Sequence, residues 1–250
     1  DGWLPSTRTA QVDLTVDMTG KPSVLGDESL KLWLDASHSN SIIKDTSNKV
    51  SKWLDLSGNG YQVTQDTTDK QPLYSTNSNN TPTIKFDGTD DHLGAIDTGN
   101  NILGGKSEFD IYFVLQVEEE HIARQAFMSI YPNNSSHNGY SVSGFYINYS
   151  LKKVVMSAGG HSGDTIRMSR IAEEHILNNM TQPKIFQYSK TSDVTFTRIR
   201  LDNQEHIYDL QETFKEIKSD PTVDIFIGNN DFITGSNSQP LKGRISEILI

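Results

Sequence analysis

Carboxylates and carboxamides crowd the turns of this chain, and their spacing suits two kinds of chemistry. One is coordination of a hard cation, and the other is hydrogen bonding to the hydroxyls of a sugar. In Phe86-Asp87-Gly88-Thr89-Asp90-Asp91-His92, three aspartates fall close together in one turn. Calcium takes roughly six to eight oxygen ligands without rigid angular demands, so Asp87, Asp90 and Asp91 are the candidate metal ligands and calcium the candidate ion. Asp55 and Asn59 could add oxygens, but no segment has the ligand spacing of an EF-hand. The plainer reading is that aspartates in sheet loops cap backbone amides.

A glycan site needs polar groups that match hydroxyl directions, and an aromatic face for the ring. Three turns offer them. Asn59 and Tyr61 lie in the first, Asp90, Asp91 and His92 in the second, and Asn229, Asn230 and Asp231 in the third; these eight are the candidate ligand-binding residues. Tyr131, Asn133, Asn134 and His137 are further groups of the same type. The competing reading is that polar loop tips face water.

No catalytic residue is assigned. The seven histidines show no ligand-pair spacing, and neither a Gly-x-Ser-x-Gly elbow nor a phosphate-binding glycine loop occurs. Arg198 and Arg200 would share a strand face and could act with Tyr112 or His206 on an acidic sugar, which the residue types permit without indicating it.

These turns need a frame, and the frame reads as strands. Phe109-Asp-Ile-Tyr-Phe-Val-Leu-Gln-Val117 alternates, placing Phe109, Ile111, Phe113, Leu115 and Val117 on one face and Asp110, Tyr112, Val114 and Gln116 on the other. Further strands are expected at 11–17, 125–130, 139–148, 151–157, 183–189, 193–201, 223–227 and 243–250, separated by Asn/Gly/Ser-rich turns that favour antiparallel pairing. Segments 166–179 and 208–218 read as short helices. The polar stretch between Asp55 and Pro82 reads as a long loop with a short strand near Tyr61 and Val63. Trp33, between Leu32 and Leu34, is expected on the opposite face from them. Both Trp33 and Trp53 are expected to bury their indoles rather than stack on sugars.

Leu32-Trp33-Leu34-Asp35, then Val50-Ser51-Lys52-Trp53-Leu54-Asp55-Leu56-Ser57-Gly58-Asn59-Gly60, then Pro82-Thr-Ile-Lys-Phe-Asp-Gly88 and a closing Gly243-Arg-Ile-Ser-Glu-Ile-Leu-Ile250 together resemble the laminin G-like members of the concanavalin A-like lectin/glucanase superfamily, as found in bacterial and viral surface proteins. The resemblance runs from about Ser29 to the end, with a divergent middle. It implies an all-β fold, a two-sheet antiparallel jelly-roll sandwich over 29–250, with 1–28 as an extension or first strand. The family includes sugar binders, adhesion modules, structural domains and related glycan-cleaving enzymes. Glu108-Phe-Asp110 is similar to the opening of the glucanase branch's Glu-x-Asp-x-x-Glu strand, but Phe113 stands where the second glutamate belongs.

The expected function is therefore a non-catalytic recognition or adhesion module, binding a glycan or surface protein through sandwich loops. The alternatives are a structural or decoration domain and, third, a polysaccharide-cleaving enzyme. Hydrophobic residues make up 34% and charged ones 22% of 250, and the net charge of -10 disfavours nucleic acid. No apolar run is long enough for membrane insertion. Cysteine is absent, so disulfides and thiolate-bound metals are excluded. The first and last residues suggest a piece of a larger polypeptide or assembly, expected outside the cell, on its surface or on a virion.

Overall fold

The computed structural model describes residues 29–95, 99–103, 106, 108–118, 124–132, 143–148, 153–158, 167–171, 180–190, 197–202, 204–206, 223–229 and 239–250. The expected strand at 11–17 and helix at 208–218 lie outside them. Two antiparallel sheets account for the strands. One holds β1 (Trp33–Asp35), β5 (Leu73–Thr76), β6 (Pro82–Asp87), β8 (Phe109–Val117), β13 (Lys184–Lys190), β14 (Thr197–Leu201), β15 (Gln204–His206) and β17 (Lys242–Leu249). The other holds β2 (Ile42–Lys44), β3 (Val50–Leu54), β4 (Gln62–Thr64), β7 (Leu93–Ala95), β9 (Arg124–Pro132), β10 (Ser143–Asn148), β11 (Lys153–Ala158), β12 (Arg167–Ile171) and β16 (Val223–Ile227). A single helical turn, α1 (Gly99–Leu103), precedes β8.

The first sheet runs β15-β14-β13-β8-β17-β6-β5 and the second β12-β11-β10-β9-β16-β7-β4-β3-β2. Alternation along β8 works as its sequence demands. Ile111, Phe113, Leu115 and Val117 are at most 1% exposed. They meet side chains of the facing sheet, including Phe127 and Phe145, in a cluster of rings that Phe186 and Tyr188 complete. Burial of this apolar area is the dominant favourable term, at about 25 cal/mol per Å². β17 is shared along one edge. Its first half pairs with β6, Lys242 opposite Asp87, and its second half with β1, Leu249 opposite Trp33.

Two elements differ from the sequence expectation. Arg167–Ile171, read as the start of a helix, is strand β12, paired with β11 from Val154↔Ile171 to Ala158↔Arg167. Pairing to an existing edge overrides a weak helical preference. The stretch after Asp55 is more ordered than a long loop, because Leu73–Thr76 adds to β6 as a half-buried edge strand. The tryptophans separate as expected. Trp53 is fully buried in the main core, whereas Trp33 packs on the other face, its Nε1 donating to Glu247 Oε1 at 2.9 Å and its ring edge-on to His38.

Candidate functional site

β6 ends at Asp87 and the chain turns back into β7 through Gly88, whose φ of +83° is a conformation that glycine adopts without strain. The turn is held by its own aspartates. Asp87 Oδ1 accepts from Thr89 N–H at 2.7 Å, and Asp91 Oδ2 accepts from Asp87 N–H at 3.0 Å. These bonds are the capping role that the sequence allowed. They leave one group over. Asp91 is 3% exposed, and its Oδ1 has no hydrogen-bond partner among the described residues. One carboxylate oxygen from each of Asp87, Asp90 and Asp91 can be chosen so that all lie within 4.8 Å of one another. Oxygens on opposite sides of a calcium ion, each at about 2.4 Å, would be about 4.8 Å apart, so the set fits such an ion. The remaining ligands would be carbonyls or water.

The electrostatics match an unsatisfied anion. Burial, reinforced by the neighbouring Asp87 carboxylate, pushes the Asp91 carboxyl up to about 7, while Lys49 pulls the other way. Lys49 itself donates to the Gln71 carbonyl at 2.8 Å.

His92 closes the turn. Its Nδ1 lies 2.8 Å from the Asp90 carbonyl and must donate there, which leaves Nε2 to accept from Gln65 Nε2 at 2.8 Å. With both nitrogens engaged and the ring 6.0 Å from that of Phe226, His92 positions the turn.

The other expected residues divide between two places. Asn229 lies beyond β16, whose Ile227 pairs with Leu93, and so belongs to the same end of the sandwich as Asp91. It is buried; its carbonyl accepts from Ser129 Oγ and its side-chain oxygen from Gln239 N–H. Asn230 and Asp231, with Asn133, Asn134 and His137, lie outside the described residues. Tyr131 pairs with Asp224 through its backbone in β9.

Asn59 and Tyr61 belong to the opposite end of β4. Asn59 Nδ2 donates to the carbonyls of Leu30 and Lys31, at 2.9 and 3.1 Å, and Tyr61 packs against the core. Asp55 is consumed locally. It accepts from Trp33 N–H, Ser57 N–H and Ser57 Oγ, which explains why a Trp-Leu-Asp run precedes the Ser-Gly-Asn-Gly turn. The turns bearing Asn59 and Asp91 therefore lie at opposite ends of β4 and do not share one surface.

Glu108 and Asp110 sit two residues apart at the start of β8, both exposed. Asp110 Oδ1 accepts from Ser189 Oγ and from Gln187 Nε2, which also donates to Tyr112 Oη at 2.8 Å. Sequence reasoning named Asp110 and Tyr112 but missed Gln187 and Ser189. These share a face of β13 by the same alternation, and the register that sets Gln187 beside Tyr112 and Ser189 beside Asp110 is not visible in one strand.

No family model matches the sequence, and no curated protein sequence is similar to it. Solved structures are similar in fold. The structure of botulinum neurotoxin type C, whose cell entry depends on interaction with two ganglioside molecules, shares a TM-score of 0.58 at 13% identity, covering 89% of this chain and 47% of that one. The fold is a jelly-roll β-sandwich. The botulinum neurotoxin DC binding domain in complex with rat synaptotagmin II gives 0.57 at 11% identity over 89% and 48% of the two chains. The Ruminococcus gnavus sialidase module CBM40 gives 0.50 at 16% identity over 66% and 87%. This chain thus spans about half the length of the botulinum domains.

Proposed function

We propose that this chain is a non-catalytic recognition or adhesion module of the laminin G-like kind. It presents the end of the sandwich bearing the Asp87–His92 turn and Asn229 to a glycan or a surface protein, with calcium held by Asp87, Asp90 and Asp91. The observation that supports this reading is the Asp91 Oδ1 atom, buried and without a partner among the described residues, in a group with two further carboxylates. An unsatisfied buried acceptor is costly, and a divalent cation relieves both that cost and the mutual repulsion of the three aspartates. A cation held at a loop tip also has open coordination positions for ligand oxygens. Cell entry of the type C neurotoxin depends on two ganglioside molecules and the DC binding domain is bound to synaptotagmin II, but this chain matches only about half of each, and fold alone assigns no ligand. A setting outside the cell, on its surface or on a virion belongs to the same proposal.

The test is thermal melting with calcium and with chelator, followed by a glycan array and a surface-protein display under both conditions. Calcium at about 100 times its Kd should add about 2.7 kcal/mol to stability, and this gain should vanish in Asp90→Asn, which leaves the hydrogen bonds of Asp87 and Asp91 in place. Saturable, calcium-dependent binding supports the module. Melting indifferent to calcium removes the metal, and silence on both displays favours the structural alternative.

A further inference from the structure

A second concave site lies at the far end of β17. A cleft of about 480 Å³ opens between α1, the start of β8 and the end of β17, within the size range of small-ligand sites. Lys242 of β17 faces Asp87 and Leu249 faces Tyr112, so the cleft is roughly 23 Å from the aspartate turn along the strand, at about 3.3 Å per residue. Its floor is apolar, from Ile102, Leu103, Leu249 and Ile250, and Phe109 and Tyr112 bring two rings to it. Its charges balance, Lys31 and Lys106 against Glu108 and Asp110.

Several polar groups at this cleft are held in place yet retain capacity. Tyr112 Oη accepts from Gln187, and its own hydrogen has no acceptor among the described residues. Burial, with the Asp110 charge adding to it, raises the Tyr112 pKa, so the phenol remains a donor at neutral pH. Asp110 uses only Oδ1 in its bonds to Ser189 and Gln187, which leaves Oδ2 to accept. Lys106 Nζ makes no hydrogen bond or ion pair among the described residues. Two donors and an acceptor thus border an apolar floor with aromatic rings beside it. That combination suits a pyranose ring, which has hydroxyls around its edge and C–H groups on its faces. Balanced charge gives no advantage to a phosphate or carboxylate ligand.

We infer that this cleft binds an uncharged sugar unit of a glycan, with Tyr112 donating to and Asp110 accepting from ring hydroxyls. The inference rests on the recognition reading but shares no residue with the aspartate turn. The test is an array of neutral oligosaccharides probed in chelator, with the wild-type chain and with Tyr112→Phe, Asp110→Asn, Lys106→Ala and Asp90→Asn. Retained binding of at least one neutral oligosaccharide is expected. Loss of a hydrogen bond in Tyr112→Phe or Asp110→Asn should weaken it about 5-fold, Lys106→Ala less, and Asp90→Asn not at all, with melting temperatures of the exposed-residue variants unchanged. No neutral oligosaccharide held in chelator, or binding that is indifferent to Tyr112, Asp110 and Lys106, overturns the proposal. Binding only with calcium and lost in Asp90→Asn would assign the ligand to the aspartate turn and leave the cleft without one.

Discussion

The two ends of the sandwich reach polarity by opposite routes. At the Asp87–His92 end, like charges are gathered and one buried oxygen has no partner among the described residues, an arrangement that a cation or a proton would complete. At the cleft end, opposite charges are balanced and Asp110 and Tyr112 are hydrogen-bonded to neighbours on β13, an arrangement that needs no ion to complete it. Desolvated like charges store unfavourable free energy that a ligand can release, whereas a satisfied network offers only its spare donors and acceptors. The first end should respond to ions and pH, and the second to sugar alone.

The largest effect is expected at Gly228, just beyond β16. Its φ is +84°, and a Cβ there would fall 2.2 Å from the Phe86 ring, which is itself fully buried in the core. Gly228→Ala should cost about 3 kcal/mol or more, from overpacking and backbone strain together, measured by chemical denaturation. It should abolish any calcium response while spectra from Phe109–Tyr112 remain native. Equal disturbance at both ends would show that the comparison of separate regions is wrong.

Removing a polar atom from the core between the two ends should act in the other direction. Tyr188 is fully buried in the ring cluster, and its hydroxyl has no partner among the described residues. Burial raises its pKa far above that of a free phenol, so it is a neutral but unsatisfied group. Tyr188→Phe keeps the ring contacts with Phe113 and Phe145 and should stabilise the chain by about 1 kcal/mol. A loss of stability would mean that the hydroxyl has found a bond after all.

How much of this was legible in the sequence depends on the range of the interaction. Alternation along β8 is local, and it correctly placed Phe113 and Tyr112 on opposite faces, of which the Phe113 face is the buried one. The two antiparallel sheets followed from strands of that kind. Strand β5 was hidden because Leu73-Tyr-Ser-Thr76 is a short edge that only its pairing with β6 makes extended. The sites were less readable still. Asp55, Asp87 and Asp91 are alike in composition, yet Asp55 is saturated by Trp33 and Ser57 whereas Asp91 keeps one oxygen bare. Asn59 and Asp91 both sit in polar turns, and only topology reveals that they occupy opposite ends of β4. The cleft was hidden for the same reason, since its walls come from segments as distant in sequence as Lys31, Lys106 and Leu249.

Two desolvated carboxyls, the buried Asp91 and the half-buried Glu247, sharpen the contrast by their response to pH. Asp91 is raised to about 7 and has a bare oxygen, while Glu247 is raised by burial but accepts from Trp33 Nε1, which holds it back. For a carboxyl whose folded pKa lies above its unfolded value, the folded state binds the proton more tightly. Its contribution is most favourable below the unfolded pKa and is lost as pH rises to the folded one. In chelator, the chain should therefore lose melting temperature between about pH 4 and pH 7, chiefly through Asp91. Asp91→Asn should flatten that slope, and saturating calcium should oppose it by stabilising the carboxylate. Glu247→Gln keeps an acceptor for the indole while removing the desolvated charge, so it should raise the melting temperature at pH 7 by a degree or two and leave the calcium response intact. A wild-type profile flat from pH 4 to 7, or one abolished by Glu247→Gln instead of Asp91→Asn, would transfer the stored electrostatic strain from the aspartate turn to the indole-capped glutamate on β17.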